Sequence, residues 1–181
     1  MKNNVSFNST LTKFGMGLFE TIKVTDYPLD LDLHMNRLFN SIKELNLSIE
    51  NDKEFYKETI LKYIKENNVK NKALRLTVFD EGYNISLRDI TYNEDTYKKG
   101  FSLCISPIKR GDSIIYRHKT TNYFESMYSK HYATDRNFND AIFLDSLSNI
   151  LECSMSNIFF IKSNTIYTPK SSSPILNGIM K

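Results

Sequence analysis

The chain has 181 residues, of which 40% are hydrophobic and 13% aromatic, enough to bury the core of one domain or of two small ones. Its 24 basic and 21 acidic residues are interleaved and leave a net charge of only +3, which argues against nucleic-acid binding. The sequence shows no apolar run of bilayer length, no secretory signal at its start and no disulfide framework in its two cysteines. We therefore expect a soluble, cytoplasmic, globular protein.

The first half of the sequence carries two patterns of apolar residues. Apolar residues three and four positions apart indicate a helix with one buried face, and strict alternation indicates a half-buried strand. The helical pattern predicts one helix from Leu31 to Leu47 and another from Asn51 or Asp52 to Asn67. The alternation predicts a strand from Ala73 to Phe79.

The second half of the sequence predicts another strand, a helix and several short strands. Alternation indicates a strand from Phe101 to Ile108, and a helix is predicted from Thr121 to about Arg136. Three short apolar runs separated by turn residues predict an antiparallel meander: Ala141 to Leu144, Ile158 to Ile161 and Thr165 to Tyr167. Helices and strands do not alternate as in a doubly wound sheet, so the predicted fold class is α+β.

Three polar residues are candidates for chemistry, although each also has a purely structural explanation. Arg37 fits an ion-paired helix residue, Lys119 a surface charge and Glu152 an exposed strand position. The three histidines lack the spacing of metal ligands. Neither a glycine-rich phosphate loop nor a serine nucleophile elbow is present. Composition and spacing alone therefore leave the function open.

Seven short segments, taken in order, supply the functional signal that composition and spacing lack. They are FGMGLFET at 14–21, HMNRL at 34–38, HKTTNY at 118–123, DAIFLD at 140–145, ECSMSNIF at 152–159, YTP at 167–169 and LNGIM at 176–180. Each is weak alone, but in this order they resemble the class IV aminotransferases, which use pyridoxal 5'-phosphate (PLP). Met16 departs from the family pattern, which has an acidic residue at that position.

The resemblance implies a two-lobed, fold-type IV architecture. It places a smaller N-terminal α/β lobe at residues 1–108, an interlobe linker at 109–118 and the start of a larger, PLP-binding lobe at 119–181. It also implies a homodimer with the active site near the lobe boundary. The family continues well beyond Gly178 and Ile179, so we expect the second lobe to be incomplete. Two explanations stay open: a fragment of a longer protein, or a shortened and non-catalytic remnant.

The resemblance also implies a role for each motif residue. Lys119 would hold the cofactor as a Schiff base, Arg37 would bind its phosphate, and Glu152 would face its pyridine nitrogen. The remaining predicted contacts are Tyr123 with the phenolic oxygen and the backbone N–H groups of Ser156, Asn157, Gly178 and Ile179 with the phosphate. Arg75 and Arg88 are the candidates for substrate carboxylates.

Two details of the motifs bear on the reaction. Cys153 follows Glu152, where most aminotransferases of the family have glycine, and Met180 stands where they usually have threonine. Both features resemble 4-amino-4-deoxychorismate lyase, which forms 4-aminobenzoate and pyruvate. The sequence therefore favours the lyase, with transamination of branched-chain or D-amino acids as the alternative.

Overall fold

The chain folds as two compact units. The computed structural model describes all residues from Met1 to Lys181. Unit 1 contains Met1–Thr91 together with Lys119–Asn122, and unit 2 contains Tyr92–His118 together with Tyr123–Lys181. This division differs from the predicted lobe boundary at residue 108, since the strand predicted before that residue pairs inside unit 2. The predicted linker 109–118 likewise belongs to unit 2.

Unit 1 is an antiparallel sheet packed against helices. Its elements are α1 (Thr10–Phe14), β1 (Gly17–Val24), α2 (Leu31–Glu44), α3 (Lys53–Glu66), β2 (Lys72–Phe79) and β3 (Gly82–Asp89). The sheet order is β1-β2-β3, with every pair antiparallel. The predicted helices and the predicted strand at 73–79 are confirmed within a few residues. Strands β1 and β3 were not predicted, because neither shows clean apolar alternation.

The core of unit 1 lies between one face of the sheet and the two long helices. Alternate strand residues point to it, because side chains along a strand alternate between the two faces. The buried strand residues on this face are Leu18, Ile22, Leu74, Leu76 and Val78, and they pack with Met35, Leu38, Tyr56 and Ile60 of the helices. The intervening strand positions, which include Phe19 and Arg75, therefore belong to the opposite face of the sheet.

Unit 2 contains a second, mixed sheet and a separate hairpin. Its elements are α4 (Glu94–Lys99), β4 (Leu103–Arg110), a 3-10 turn (Ile114–Arg117), α5 (Phe124–Thr134), β5 (Asp140–Asp145), β6 (Ile150–Cys153), β7 (Phe160–Lys162) and β8 (Thr165–Tyr167). Strands β4 and β5 are parallel, and β5 pairs with β6 in the antiparallel direction. Strands β7 and β8 pair only with each other.

The topology of unit 2 corrects one prediction. The expected meander is wrong for its first run, because β5 pairs with β6 rather than with the run that follows it. The antiparallel pairing of the second and third runs is confirmed by β7 and β8. Strand β6 escaped prediction because Glu152 interrupts its apolar residues. The mixture of helices with two sheets confirms the predicted α+β class. None of the helices combines the length and the apolar character that crossing a bilayer requires.

Candidate active site

Lys119 lies in a short backbone segment that runs beside the edge strand of unit 1. Its carbonyl oxygen accepts a hydrogen bond from the Phe19 amide at 2.9 Å, and the Thr121 amide donates to the Gly17 carbonyl at 2.8 Å. An antiparallel bridge between Leu18 and Thr120 joins the two segments between these bonds. The main chain of Lys119 is therefore held as an extra strand on β1, although it lies about a hundred residues further along the sequence.

The two glycines of the FGMG motif allow this close approach. Gly15 ends α1 with a φ of +68°, in the left-handed region that favours glycine. A Cβ on Gly17 would lie 2.9 Å from Leu11 Cδ1 and 3.1 Å from both Thr121 Oγ1 and the Val78 carbonyl oxygen. A side chain there would displace these neighbours, so glycine at this position lets the Lys119 segment pack directly on β1.

The Phe19 ring carries two cationic side chains. Lys119 Nζ lies 4.5 Å from the ring centroid and Arg75 Cζ lies 3.7 Å from it. Both distances are within the range of attraction between a cation and an aromatic face. Arg75 reaches the ring because it pairs with Thr21 in the register of β1 and β2, which places it diagonally from Phe19 on the same face of the sheet. One predicted substrate residue is therefore close to the predicted catalytic lysine.

Arg37 engages a carboxylate on the other face of β1. Its Nε donates to Glu20 Oε1 at 2.8 Å and its Nη2 donates to Glu20 Oε2 at 2.5 Å. His34 Nδ1 lies 2.7 Å from the same Oε2 atom. Burial raises the pKa of Glu20, but the hydrogen bonds and charges of His34 and Arg37 lower it by more. The pKa of Glu20 therefore lies below its usual 4.5. This cluster fixes the direction of the Arg37 guanidinium.

Glu152 is buried in unit 2, which contradicts the exposed strand position that would have been its structural explanation. Its Oε1 accepts a hydrogen bond from Arg110 Nη1 at 2.6 Å, and its Oε2 accepts one from the Leu176 amide at 3.2 Å. Arg110 is 5% exposed and also donates from Nε to Glu125 Oε1 at 2.7 Å. An adjacent guanidinium favours the ionised form of a carboxylate. Arg110 was not predicted, because its sequence surroundings suggested a linker.

Two of the predicted phosphate-binding residues lie directly against each other. A Cβ on Gly178 would lie 2.8 Å from Asn157 Cγ and 3.0 Å from Asn157 Oδ1. The turn after β6, which holds Asn157, and the turn near residue 178 are thus in van der Waals contact, and a side chain at position 178 would displace the Asn157 side chain. Ser156 lies in the same turn, where its carbonyl oxygen accepts the Cys153 amide at 2.9 Å. Ile179 is partly buried beside Gly178.

The remaining predicted residues have less defined surroundings. Tyr123 is the partly buried residue that precedes the first turn of α5. Arg88 is exposed on β3, where its Nη1 donates to the neighbouring Asp89 carbonyl at 3.3 Å. Cys153 is buried, and burial together with the charge of Asp140 raises the pKa of its thiol to about 11. A thiol with this pKa remains protonated at neutral pH, which fits a packing role.

Comparison with known proteins then decides the family. The sequence profile of amino-transferase class IV matches residues 17–181. The chain belongs to the class IV aminotransferases. It is 26% identical to the aminodeoxychorismate lyase of Bacillus subtilis (strain 168) over 93% of this chain, and 27% identical to the branched-chain-amino-acid aminotransferase of Pseudomonas aeruginosa over 93% of this chain. It spans 63% and 62% of the lengths of these two relatives.

Solved structures share the fold of the whole chain. The branched-chain amino acid aminotransferase of Escherichia coli superposes with a TM-score of 0.87 at 23% identity, and the match covers 98% of this chain and 66% of that chain. Another branched-chain aminotransferase with this fold was solved with pyridoxamine 5'-phosphate. The predicted family and the fold-type IV architecture are therefore confirmed. Class IV aminotransferases are PLP enzymes, so the predicted cofactor is confirmed for the family of this chain.

The side chains of this chain fit that cofactor in their chemistry. An amine on a fixed segment, a guanidinium and a buried carboxylate are the groups needed for an aldehyde, a phosphate and a protonated ring nitrogen. Lys119, Arg37 and Glu152 carry these groups, and their roles toward the cofactor stay predictions. The Asn157 side chain lies against the bare Cα of Gly178, so the two turns predicted to bind the phosphate are adjacent.

Proposed function

We propose that this chain binds pyridoxal 5'-phosphate through Lys119 and acts on a small, amino acid-like substrate. The observation that carries the proposal is the family match over residues 17–181, which includes Lys119 on a glycine-dependent segment. Bound PLP withdraws electrons from a carbon of the substrate through its protonated ring. The chain's own residues must then hold the cofactor, keep that ring protonated and move protons.

Lys119 supplies the amine that bonds to the cofactor and later carries a proton at its Nζ atom. An amine serves in this way only when it is neutral for part of the time. Arg75 shares the Phe19 ring with Lys119 and cannot lose its own proton, so it favours the neutral amine. The guanidinium of Arg75 is also suited to bind a substrate carboxylate beside Lys119.

Arg37 and Glu152 hold the two ends of the cofactor in this proposal. Arg37 binds the phosphate, and its pairing with Glu20 holds the guanidinium in one orientation. Glu152 keeps a proton on the ring nitrogen because Arg110 stabilises its ionised form. The backbone N–H groups of Ser156, Asn157, Gly178 and Ile179 supply further phosphate donors, and Tyr123 donates to the phenolic oxygen.

The finer proposal is the lyase reaction on 4-amino-4-deoxychorismate. It is supported by Cys153, which is buried directly after Glu152, and by Met180, which supplies no hydroxyl where aminotransferases usually have threonine. The similarity to the B. subtilis lyase points the same way. The alternative is transamination of branched-chain or D-amino acids, which the similar identity to the P. aeruginosa aminotransferase supports to the same degree.

The requirement for an acceptor separates the two reactions. A lyase releases 4-aminobenzoate and pyruvate from its single substrate, whereas a transaminase needs a keto acid to turn over. Incubation of the PLP-loaded protein with 4-amino-4-deoxychorismate alone should therefore release 4-aminobenzoate. Product that forms only from an amino acid with added 2-oxoglutarate would instead establish the aminotransferase. Absence of both products from a protein that does bind PLP would favour the non-catalytic remnant.

Two further expectations stay predictions. A homodimer is proposed from the family resemblance, and a cytoplasmic location from the sequence alone. Sedimentation equilibrium over a range of protein concentrations tests the dimer, since a monomer of 21.1 kDa has half the mass of the proposed assembly.

A further inference from the structure

Arg110 is the most completely enclosed cationic side chain in unit 2. It is 5% exposed and lies between two carboxylates: Glu125 Oε1 at 2.7 Å and Glu152 Oε1 at 2.6 Å. Its guanidinium carbon is 3.7 Å from the centroid of the Phe143 ring and 4.7 Å from that of Tyr116. Both ends and a face of the guanidinium are therefore occupied, which restricts it to one orientation.

Glu125 is itself held from the other side. The Tyr116 hydroxyl donates to Glu125 Oε2 at 3.0 Å, so the carboxylate that anchors Arg110 has a second partner. Burial and the Glu125 charge both raise the pKa of Tyr116, which keeps its hydroxyl protonated and able to donate. Three side chains in series thus lead from the 3-10 turn and α5, through the end of β4, to Glu152 on β6.

The group of two carboxylates and one guanidinium retains one negative charge, and two of its members, Arg110 and Glu152, are buried. Desolvation makes such a group costly when its only role is to stabilise the fold, and apolar residues of similar volume often serve equally well there. A group with one surplus negative charge is instead well suited to a ligand that brings one positive charge, such as a protonated ring nitrogen. Each carboxylate oxygen accepts more than one hydrogen bond, so the Arg110 contact does not prevent Glu152 from meeting that ligand.

We propose that Arg110 is the positioning residue of Glu152, and that Glu125 and Tyr116 fix Arg110 in turn. In this inference, which rests on the proposed function, the series sets both the orientation and the charge of the carboxylate that meets the cofactor ring nitrogen. Arg110 touches neither cofactor nor substrate. Its effect reaches the ligand only through Glu152.

The test compares PLP with its 1-deaza analogue, in which a C–H group replaces the ring nitrogen. Dissociation constants for both are measured by calorimetry on the cofactor-free full chain and on Arg110→Gln. Wild type should bind PLP more tightly than the analogue. Arg110→Gln should reduce this preference by about tenfold, which is the change in binding ratio that corresponds to a shift of one pKa unit. The same preference should fall in Glu152→Gln and fall no further in the double variant.

Arg136→Gln is the matched control, because Arg136 also stacks on an aromatic ring, that of Tyr132 at 3.7 Å, but is exposed. Its preference for PLP should equal that of wild type. A purely structural role for Arg110 would weaken both ligands equally and leave the preference unchanged, and that result overturns the inference. Circular dichroism shows whether Arg110→Gln is folded. If Arg110→Gln is unfolded, Glu125→Gln is measured in its place, because the Glu125 side chain is 27% exposed. A preference for PLP that is unchanged in Glu125→Gln also overturns the inference.

The same binding measurements distinguish a failure of the proposed function from a failure of this inference. A wild-type protein that binds neither PLP nor the analogue would refute the cofactor assignment itself, and this inference with it. A wild-type protein that binds both, with a preference that Arg110→Gln leaves intact, would refute only the role of Arg110.

Discussion

Replacement of Glu20 by glutamine should destabilise unit 1 severely. The Glu20 carboxylate is 1% exposed and pairs with an Arg37 side chain that is 14% exposed. Glutamine removes the charge but keeps the shape, so the partly buried Arg37 guanidinium loses the attraction of the Glu20 carboxylate. Loss of one partner from a buried ion pair costs about 3–5 kcal/mol. For a chain of this length that corresponds to a fall in Tm of roughly 6–20 °C.

The effect of Glu20→Gln should depend on pH. The pKa of Glu20 lies below its usual value of 4.5, so the unfolded chain binds its proton more readily than the native protein does. The stabilisation by Glu20 is therefore fully present above about pH 4.5 and is lost as pH falls through the lower native pKa. The difference in unfolding free energy between wild type and the variant should be constant at neutral pH and should shrink below pH 4.5.

Urea unfolding followed by circular dichroism, at a series of pH values, measures this difference. Asp32→Asn is the control, because Asp32 also pairs with a cation, Lys57 at 2.8 Å, but its side chain is 75% exposed. Exposed ion pairs contribute little. Two results would contradict this prediction: a loss of unfolding free energy in Glu20→Gln no larger than in Asp32→Asn, or a loss that is the same at pH 3 as at pH 7.

Three other predictions concern single sites. Gly17→Ala should lower the free energy of unfolding by about 1–3 kcal/mol through overpacking, and it should weaken PLP binding. Gly111→Ala is the control and should have neither effect, because the space around Gly111 is open. Urea unfolding measures the stability and PLP titration the binding. Gly178→Ala should weaken PLP binding. Adding Asn157→Ala to the same chain should restore part of that binding, because it removes the side chain that the new methyl group meets. If binding is not restored, the contact with Asn157 is not the cause of the weaker binding. The Cys153 thiol, whose pKa is about 11, should resist Ellman's reagent in the folded protein at pH 8 and react only in denaturant; rapid reaction of both thiols would contradict its burial.

The sequence was most informative where local patterns decide the structure. Helices α2 and α3 and strand β2 follow from apolar periodicity, and Asp52 caps α3 with a 2.8 Å bond to the Phe55 amide as its side chain predicts. Strand β1 could not be found in this way, because it is buried along most of its length and carries Glu20 in the middle. Only the tertiary contacts with α2 make that carboxylate compatible with a buried position.

At the candidate site, too, the sequence predicts only what local patterns and motifs determine. Family resemblance identified Lys119, Arg37 and Glu152, but none of them differs locally from an ordinary charged residue. The residues that orient them were missed, since Glu20, Phe19 and Arg110 act across distances of 17 to about 100 residues in the sequence. Such partners follow from sheet register and packing, and a single sequence contains no direct signal for them.

The most direct test of the proposed function is the identification of the lysine that bonds to PLP. The full chain is incubated with PLP, reduced with borohydride and digested, and the modified peptide is identified by mass spectrometry. We predict a visible chromophore that borohydride bleaches, a pyridoxyl group on Lys119, and loss of both in Lys119→Ala. A protein that stays colourless with added PLP, or a label spread over other lysines and undiminished in Lys119→Ala, would contradict it.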